Sequence, residues 1–282
     1  MFTTIIRCEE LLPLLGEPHV LIFDTRFYLA DTEQGRREYT HAHIPGAIYA
    51  HLDEDLSGEI IPGVTGRHPL PDRIAWLQKL SVWGLRPESQ VVIYDQSGGF
   101  LASRLWTLIR QIGAKAVAVL DGGWAQWQME GKPTTDEPST IVSNRSLALS
   151  DSSEWLNTVS AEEILTNEYL LWDARAAPRY RGEQEPIDPV AGHIPGAISV
   201  PFAENLSEDG RFLPPEQLRT RFEALLNGRD PSEVVAYCGS GVTACHNLLA
   251  LEIAGLTGAK LYPGSWSEWI TDPARGVETT TD

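Results

Sequence analysis

Short, unbroken apolar blocks alternate along this chain with longer amphipathic stretches. Residues 20–23, 91–94 and 117–120 are apolar runs of strand length bounded by polar residues or glycine. Such runs suit strands buried on both faces, whereas a strand with one wet face would alternate apolar and polar positions. Between them, segments 73–83, 101–112 and 216–227 carry apolar residues at helical spacing. Strand followed by helix, repeatedly, predicts an α/β architecture in which mostly parallel sheets carry helices on both faces.

The pattern then repeats. Leu21-Ile22-Phe23-Asp24-Thr25-Arg26 returns as Leu170-Leu171-Trp172-Asp173-Ala174-Arg175, and His43-Ile44-Pro45-Gly46-Ala47-Ile48 returns unchanged as His193-Ile194-Pro195-Gly196-Ala197-Ile198. Gln90-Val91-Val92-Ile93-Tyr94-Asp95 matches Glu233-Val234-Val235-Ala236-Tyr237-Cys238, and the Trp124/Trp127 segment matches the Trp266/Trp269 segment. Four matches in one order mean a duplication. The chain of 282 residues is long enough for two domains of ordinary size. They are expected over 1–143 and 144–282, joined through the stretch from Pro133 to about Asn144, which lacks periodicity and is rich in Pro, Thr and Ser.

Composition narrows the function classes. An apolar content of 42% is that of a globular protein. A formal net charge of −17 argues against nucleic acid or an anionic membrane as a partner, so an anionic substrate would need a local basic pocket. Met1-Phe2-Thr3-Thr4-Ile5-Ile6-Arg7-Cys8 lacks the apolar core of a secretory signal, and no run approaches a membrane span, so a cytoplasmic location is expected. Cys8, Cys238 and Cys245 form no Cys-x-x-Cys pair, so neither a disulfide framework nor a zinc site is indicated.

The candidate chemistry lies at Cys238. There the apolar run Val234-Val235-Ala236-Tyr237 gives way to Gly239-Ser240-Gly241-Val242-Thr243, and a helix is expected to open near Thr243. A loop of small residues lets backbone N–H groups converge on an anion, and the helix adds the positive end of its dipole. Both favour a thiolate, the attacking form of cysteine. A phosphatase would use the same loop but wants an arginine closing it, and Ala244 and Cys245 stand there instead. Cys245, on the helix, reads as a core residue. His43 and His193 occur in both halves while the cysteine does not, so the His-Ile-Pro-Gly-Ala element reads as a structural turn.

Tandem domains, repeated Asp-x-Arg and His-Ile-Pro-Gly-Ala elements and the Cys-Gly-Ser-Gly-Val-Thr-Ala loop together resemble the two-domain rhodanese, or sulfurtransferase, family over nearly the whole chain. The resemblance implies a silent first domain, with Asp95 standing where Cys238 stands in the second, and a persulfide formed on Cys238. Gly239-Ser240 after the cysteine is similar to members that use 3-mercaptopyruvate, whereas Arg and Lys there mark members that use thiosulfate. For mercaptopyruvate members the resemblance implies a proton relay from Ser240 to His68 and Asp53, with the site in a cleft between the domains. It implies persulfide binding by Gly239, Gly241, Val242 and Thr243, and donor-carboxylate binding by Arg179. The family's second arginine has no counterpart in Glu185-Pro186-Ile187-Asp188-Pro189-Val190, and Arg181 is the candidate to replace it. The implied partners are a small anionic sulfur donor and a thioredoxin, small-thiol or cyanide acceptor, with no metal or organic cofactor. Thiosulfate:cyanide transfer and a non-enzymatic binding module are the alternatives.

Overall fold

The unbroken apolar blocks become parallel strands. The computed structural model describes residues 1–141, 143 and 155–280, and the chain groups into two units. One comprises Met1–Gly58, Leu70–Leu156 and Asp209–Arg211, and the other Glu59–Pro69, Asn157–Glu208 and Phe212–Asp282. The expected linker from Pro133 falls within the first unit, and its residues 142 and 144 lie outside the described residues.

In the first unit the elements run β1 (Ile5–Ile6), α1 (Cys8–Leu11), β2 (Val20–Asp24), α2 (Gln34–His41), β3 (Ala47–Tyr49), α3 (Arg73–Val82), β4 (Gln90–Tyr94), α4 (Ala102–Arg110), β5 (Val117–Leu120) and α5 (Gly123–Met129). The strands form one parallel sheet in the order β1-β5-β4-β2-β3. Ile22, Val92, Ala118 and Leu120 share one face with Trp124 and Trp127. Phe23, Val91, Ile93, Val117 and Val119 point the other way and are equally inaccessible. Burial on both faces is why these strands read as continuous runs. Helix α3 starts where Asp72 accepts the N–H of Ala75 at 2.8 Å, an ordinary side-chain cap.

The second unit continues with α6 (Ala161–Thr166), β6 (Leu170–Asp173), α7 (Ala177–Arg181), β7 (Ile198–Ser199), α8 (Pro215–Leu226), β8 (Val234–Tyr237), α9 (Ala244–Ile253), β9 (Lys260–Leu261) and α10 (Ser265–Trp269). Its parallel sheet has the order β7-β6-β8-β9. Leu171, Val235 and Tyr237 pack with Trp266 and Trp269, whereas Ala236 and Cys238 pack with Cys245 and Leu248 of α9. Alternation along β8 therefore directs Cys238 to the face that α9 covers.

The two repeated motifs have one structural meaning. At the end of β2, Asp24 takes Arg26 Nε at 2.9 Å and Nη2 at 2.7 Å, and Arg26 Nη2 also donates to Ala42 O at 2.7 Å. Tyr94 Oη donates to Asp24 at 2.7 Å and accepts the N–H of Ile44 at 3.3 Å. The copy matches: Arg175 donates to Asp173 and to Gly192 O, and Tyr237 Oη accepts the N–H of Ile194 at 3.2 Å. His43 and His193 each bond a backbone carbonyl through Nδ1 at 2.7 Å and stack on Tyr39 and Tyr180. The shared histidines thus hold a turn.

The copies diverge where β4 and β8 end. Asp95 is wholly buried, and its carboxylate accepts the N–H groups of Gly99 at 3.1 Å, Leu101 at 2.8 Å and Ala102 at 3.1 Å. The first unit fills its own anion cradle with a side chain. Burial raises the Asp95 carboxyl, the N–H bonds oppose it, and the net effect pushes it up to about 6. An unfolded aspartate titrates near ~3.9, so the folded chain holds this proton more tightly and loses stability as pH rises from about 4 to about 7. Asp95→Asn has no such dependence. The unfolding free energy of wild type relative to Asp95→Asn should therefore fall by on the order of 2 kcal/mol between those pH values, measured by denaturant titration. A difference that stays flat with pH would show that folding leaves the Asp95 carboxyl unshifted.

Candidate active site

Cys238 follows β8 directly, and Thr243 caps α9, so the intervening loop lies between a buried strand end and a helix N-terminus. Three contacts fix its first two residues. Cys238 N donates to Ser265 Oγ at 3.1 Å, while Trp266 N donates to Cys238 O and Ser267 N to Gly239 O, both at 2.9 Å. Gly241 has φ +76°, and a Cβ there would stand 2.3 Å from the Pro263 carbonyl, so only glycine lets the loop close against α10's approach. The N–H groups of Gly239, Ser240, Val242 and Thr243 donate to no protein acceptor among the described residues. Where Asp95 fills the first cradle, these donors stay available to an anion. The Cys238 side chain itself is 2% exposed.

The segment Glu59–Pro69 belongs to the same unit as the loop. Gly66 passes so near α10 that a Cβ would lie 2.5 Å from Gly264 O, and Arg67 N donates to Ser267 Oγ at 3.1 Å. This docking delivers His68, whose Nδ1 lies 2.8 Å from Ser240 Oγ, with both residues buried. A hydroxyl that accepts the Nδ1–H of an imidazolium can give its own proton to a reacting atom and recover one from the ring. Asp53 stands in the first unit, exposed, with its N–H directed at His51 Nδ1 at 3.2 Å.

Beside the loop runs a chain of opposite charges, buried except at Arg179 and Arg67. Arg175 bonds Asp173 and reaches Glu185 at 3.2 Å; Glu185 accepts Arg179 Nη2 at 2.7 Å; Arg179 Nη2 also meets Asp188 at 3.2 Å. Asp188 in turn pairs with Arg67. The guanidinium of Arg181 instead bonds Glu183 at 2.6 and 2.9 Å, with both side chains partly exposed. Arg67 was invisible to sequence reasoning as a partner of the loop, because it contacts Asp188 across a separation of 121 residues. Its position next to His68 was the available hint. Burial pushes the Arg67 guanidinium down, and Cys238 opposes that shift by its charge.

The other cysteines have different surroundings. Cys245 is fully buried on α9, its Sγ 3.4 Å from Gly241 O, and burial with Glu130 nearby pushes the Cys8 thiol up to about 12. Among the described residues Glu33, His51 and Glu54 stand near enough together to share a metal ion, but both carboxylates are exposed, a common arrangement without one. No helix among the described residues is long and apolar enough to cross a membrane.

Comparison with known proteins identifies relatives of the whole chain. The chain is 51% identical over 277 residues to "Probable 3-mercaptopyruvate sulfurtransferase" of Pseudomonas aeruginosa, with 98% of each chain covered. It is 35% identical over 270 residues to thiosulfate sulfurtransferase of Bos taurus, covering 90% of this chain and 86% of that one. Among solved structures, 3-mercaptopyruvate sulfurtransferase from Leishmania major superposes with a TM-score of 0.83 at 28% identity, over 95% of this chain and 74% of that one. SseA of Escherichia coli, a 3-mercaptopyruvate sulfotransferase, superposes with a TM-score of 0.77 at 28% identity, over 94% of this chain and all of that one. The rhodanese-like domain profile matches twice, at residues 8–130 and 157–272, and with the duplicated Asp-x-Arg and His-Ile-Pro-Gly-Ala networks this places the chain in the rhodanese family as a tandem of two such domains.

Proposed function

We propose that this protein is a 3-mercaptopyruvate sulfurtransferase working through a persulfide on Cys238. The observation that carries the reading is the 2.8 Å contact of Ser240 with His68, beside N–H groups of Gly239, Ser240, Val242 and Thr243 that donate to no acceptor among the described residues. The Cys238 thiolate attacks the donor sulfur, the carbon–sulfur bond breaks, and its electron pair leaves as the pyruvate enolate. Ser240 passes a proton to the enolate carbon and recovers one from His68, giving pyruvate and Cys238 persulfide. The N–H groups of residues 239 to 243 hold the sulfur's developing charge. Arg179 binds the donor carboxylate. Asp53 enters by family resemblance as the group that orients His68. A thiol, thioredoxin or cyanide then removes the outer sulfur and restores the thiolate.

Thiosulfate leaves as sulfite and needs no such proton, so the relay separates the two donors. Ser240→Ala should lower kcat/KM for 3-mercaptopyruvate about a hundredfold or more, while thiosulfate turnover changes far less. Because residues of one relay act as a unit, adding His68→Asn to Ser240→Ala should cost little further. Equal losses with both donors in a side-by-side kcat/KM measurement would remove the relay from the mechanism.

Persulfide formation has its own readout. After exposure to 3-mercaptopyruvate, intact-mass measurement should find one added sulfur atom per chain, matched by released pyruvate, and none in Cys238→Ser. A wild-type chain that takes up no sulfur would favour the non-enzymatic binding module.

A further inference from the structure

The two copies finish one buried corner differently. In the second unit the stretch between α7 and His193 covers the Arg175–Trp266 pair: Glu185 accepts Arg175 Nη1 at 3.2 Å, and the Val190 carbonyl accepts Trp266 Nε1 at 2.8 Å. Counted back from His43 and His193, the first unit has α2 in that place. Helical carbonyls mostly accept N–H groups four residues on, so α2 supplies no counterpart to the Val190 carbonyl. The matching pair, Arg26 and Trp124, is 2% and 7% exposed, with the guanidinium carbon 4.5 Å from the indole centroid. Yet Arg26 Nη1 and Trp124 Nε1 bond no acceptor among the described residues, and Glu38 stays 3.8 Å from Nη1. Both side chains line a cleft of about 620 Å³, a volume suited to a small ligand. Gln96 lines it too, and its buried Oε1 has no partner among the described residues. Two donors and an acceptor are thus held at one wall by side chains that burial keeps from moving.

We propose that this cleft in the first unit is a second binding site, for a free α-amino acid with a polar, uncharged side chain. Arg26 Nη1 and Trp124 Nε1 each give one N–H to the carboxylate, whose two oxygens serve both donors because the guanidinium lies over the indole. A carboxylate alone would meet the charge of Glu38 near the same nitrogen. An α-ammonium beside it turns that repulsion into a pairing, and Gln96 Oε1 is a further acceptor for it. Glu38 is fixed for this role: Tyr28 Oη and Gln34 Nε2 donate to its two oxygens at 3.0 and 2.9 Å and leave lone pairs over. Gln34 and Gln128 line the remainder of the cleft and suit a hydroxyl or amide side chain. The second unit does not repeat the site, because Glu185 and Val190 already take both donors. The site stands apart from Cys238 and does not depend on the sulfurtransferase reading.

Isothermal titration calorimetry on the full chain with L-serine, L-asparagine and L-glutamine tests this. At least one of the three should bind, and Cys238→Ser should bind it as wild type does. Trp124→Phe keeps the ring and removes the donor, and should weaken that amino acid about tenfold or more, the loss typical of a hydrogen bond to a charged group. Glu38→Gln should weaken it to a similar degree by removing the partner of the ammonium. The matching deaminated acid, 3-hydroxypropanoate, succinamate or glutaramate, should bind wild type about tenfold or more less tightly. Arg26 is left in place because it also holds Asp24 and the Ala42 carbonyl, and circular dichroism checks that each variant is folded. Binding of none of the three amino acids, or an unchanged affinity in either folded variant, would overturn the site. A deaminated acid that binds as tightly as its amino acid would overturn the amino-acid assignment. Loss of binding in Cys238→Ser would overturn the proposal by moving the ligand to the Cys238 loop.

Discussion

The alternating line of charges Asp173, Arg175, Glu185, Arg179, Asp188 and Arg67, buried at its acids and at Arg175 and partly exposed at Arg179 and Arg67, supports the rest of the second unit. It begins at the end of a central strand and ends beside the Cys238 loop. Buried charges are tolerable only when paired and hydrogen-bonded, and removing one partner typically costs roughly 3–5 kcal/mol because the other is stranded. The buried acids and Arg175 are thus held in place by the desolvation penalty of their neighbours, and they in turn hold Arg179 and Arg67. That rigidity matters more to the site than any net stability the pairs confer. It aims two guanidinium ends at Gly239 without help from a ligand.

Comparison of the two copies isolates where they differ. Both keep the Asp–Arg pair, the tyrosine beneath it and the histidine turn, so those elements build the fold and not the chemistry. At the strand end the first copy places a carboxylate, which satisfies three loop N–H groups. The second places a thiol and leaves its loop donors for an outside anion. A single change at one position, Asp95 against Cys238, decides whether the cradle is filled from within.

The repeat and the alternation of strand and helix were legible because local patterning follows directly from burial on both faces of a parallel sheet. Val91-Val92-Ile93-Tyr94 and Val234-Val235-Ala236-Tyr237 could hardly be anything but central strands. The loop at Cys238 was legible for a related reason: glycines and small residues after such a run are conspicuous. His68 and Asp53 were proposed only through family resemblance, since a histidine before a proline and an aspartate in an acidic turn carry no distinctive local signal. The structure sets His68 against Ser240 and leaves Asp53's part as a proposal.

The sequence by itself determined the duplicated α/β architecture and the contrast of Asp95 with Cys238 at matched strand ends, because each is written in neighbouring residues. It could not reveal Arg67, nor that Glu185 and Asp188 hold arginines instead of merely displacing one. Those facts depend on segments 121 residues apart in the chain meeting at one loop. Only the tertiary structure decided them, because pairing of buried charges is settled by distance in space, and spacing along the chain carries no trace of it.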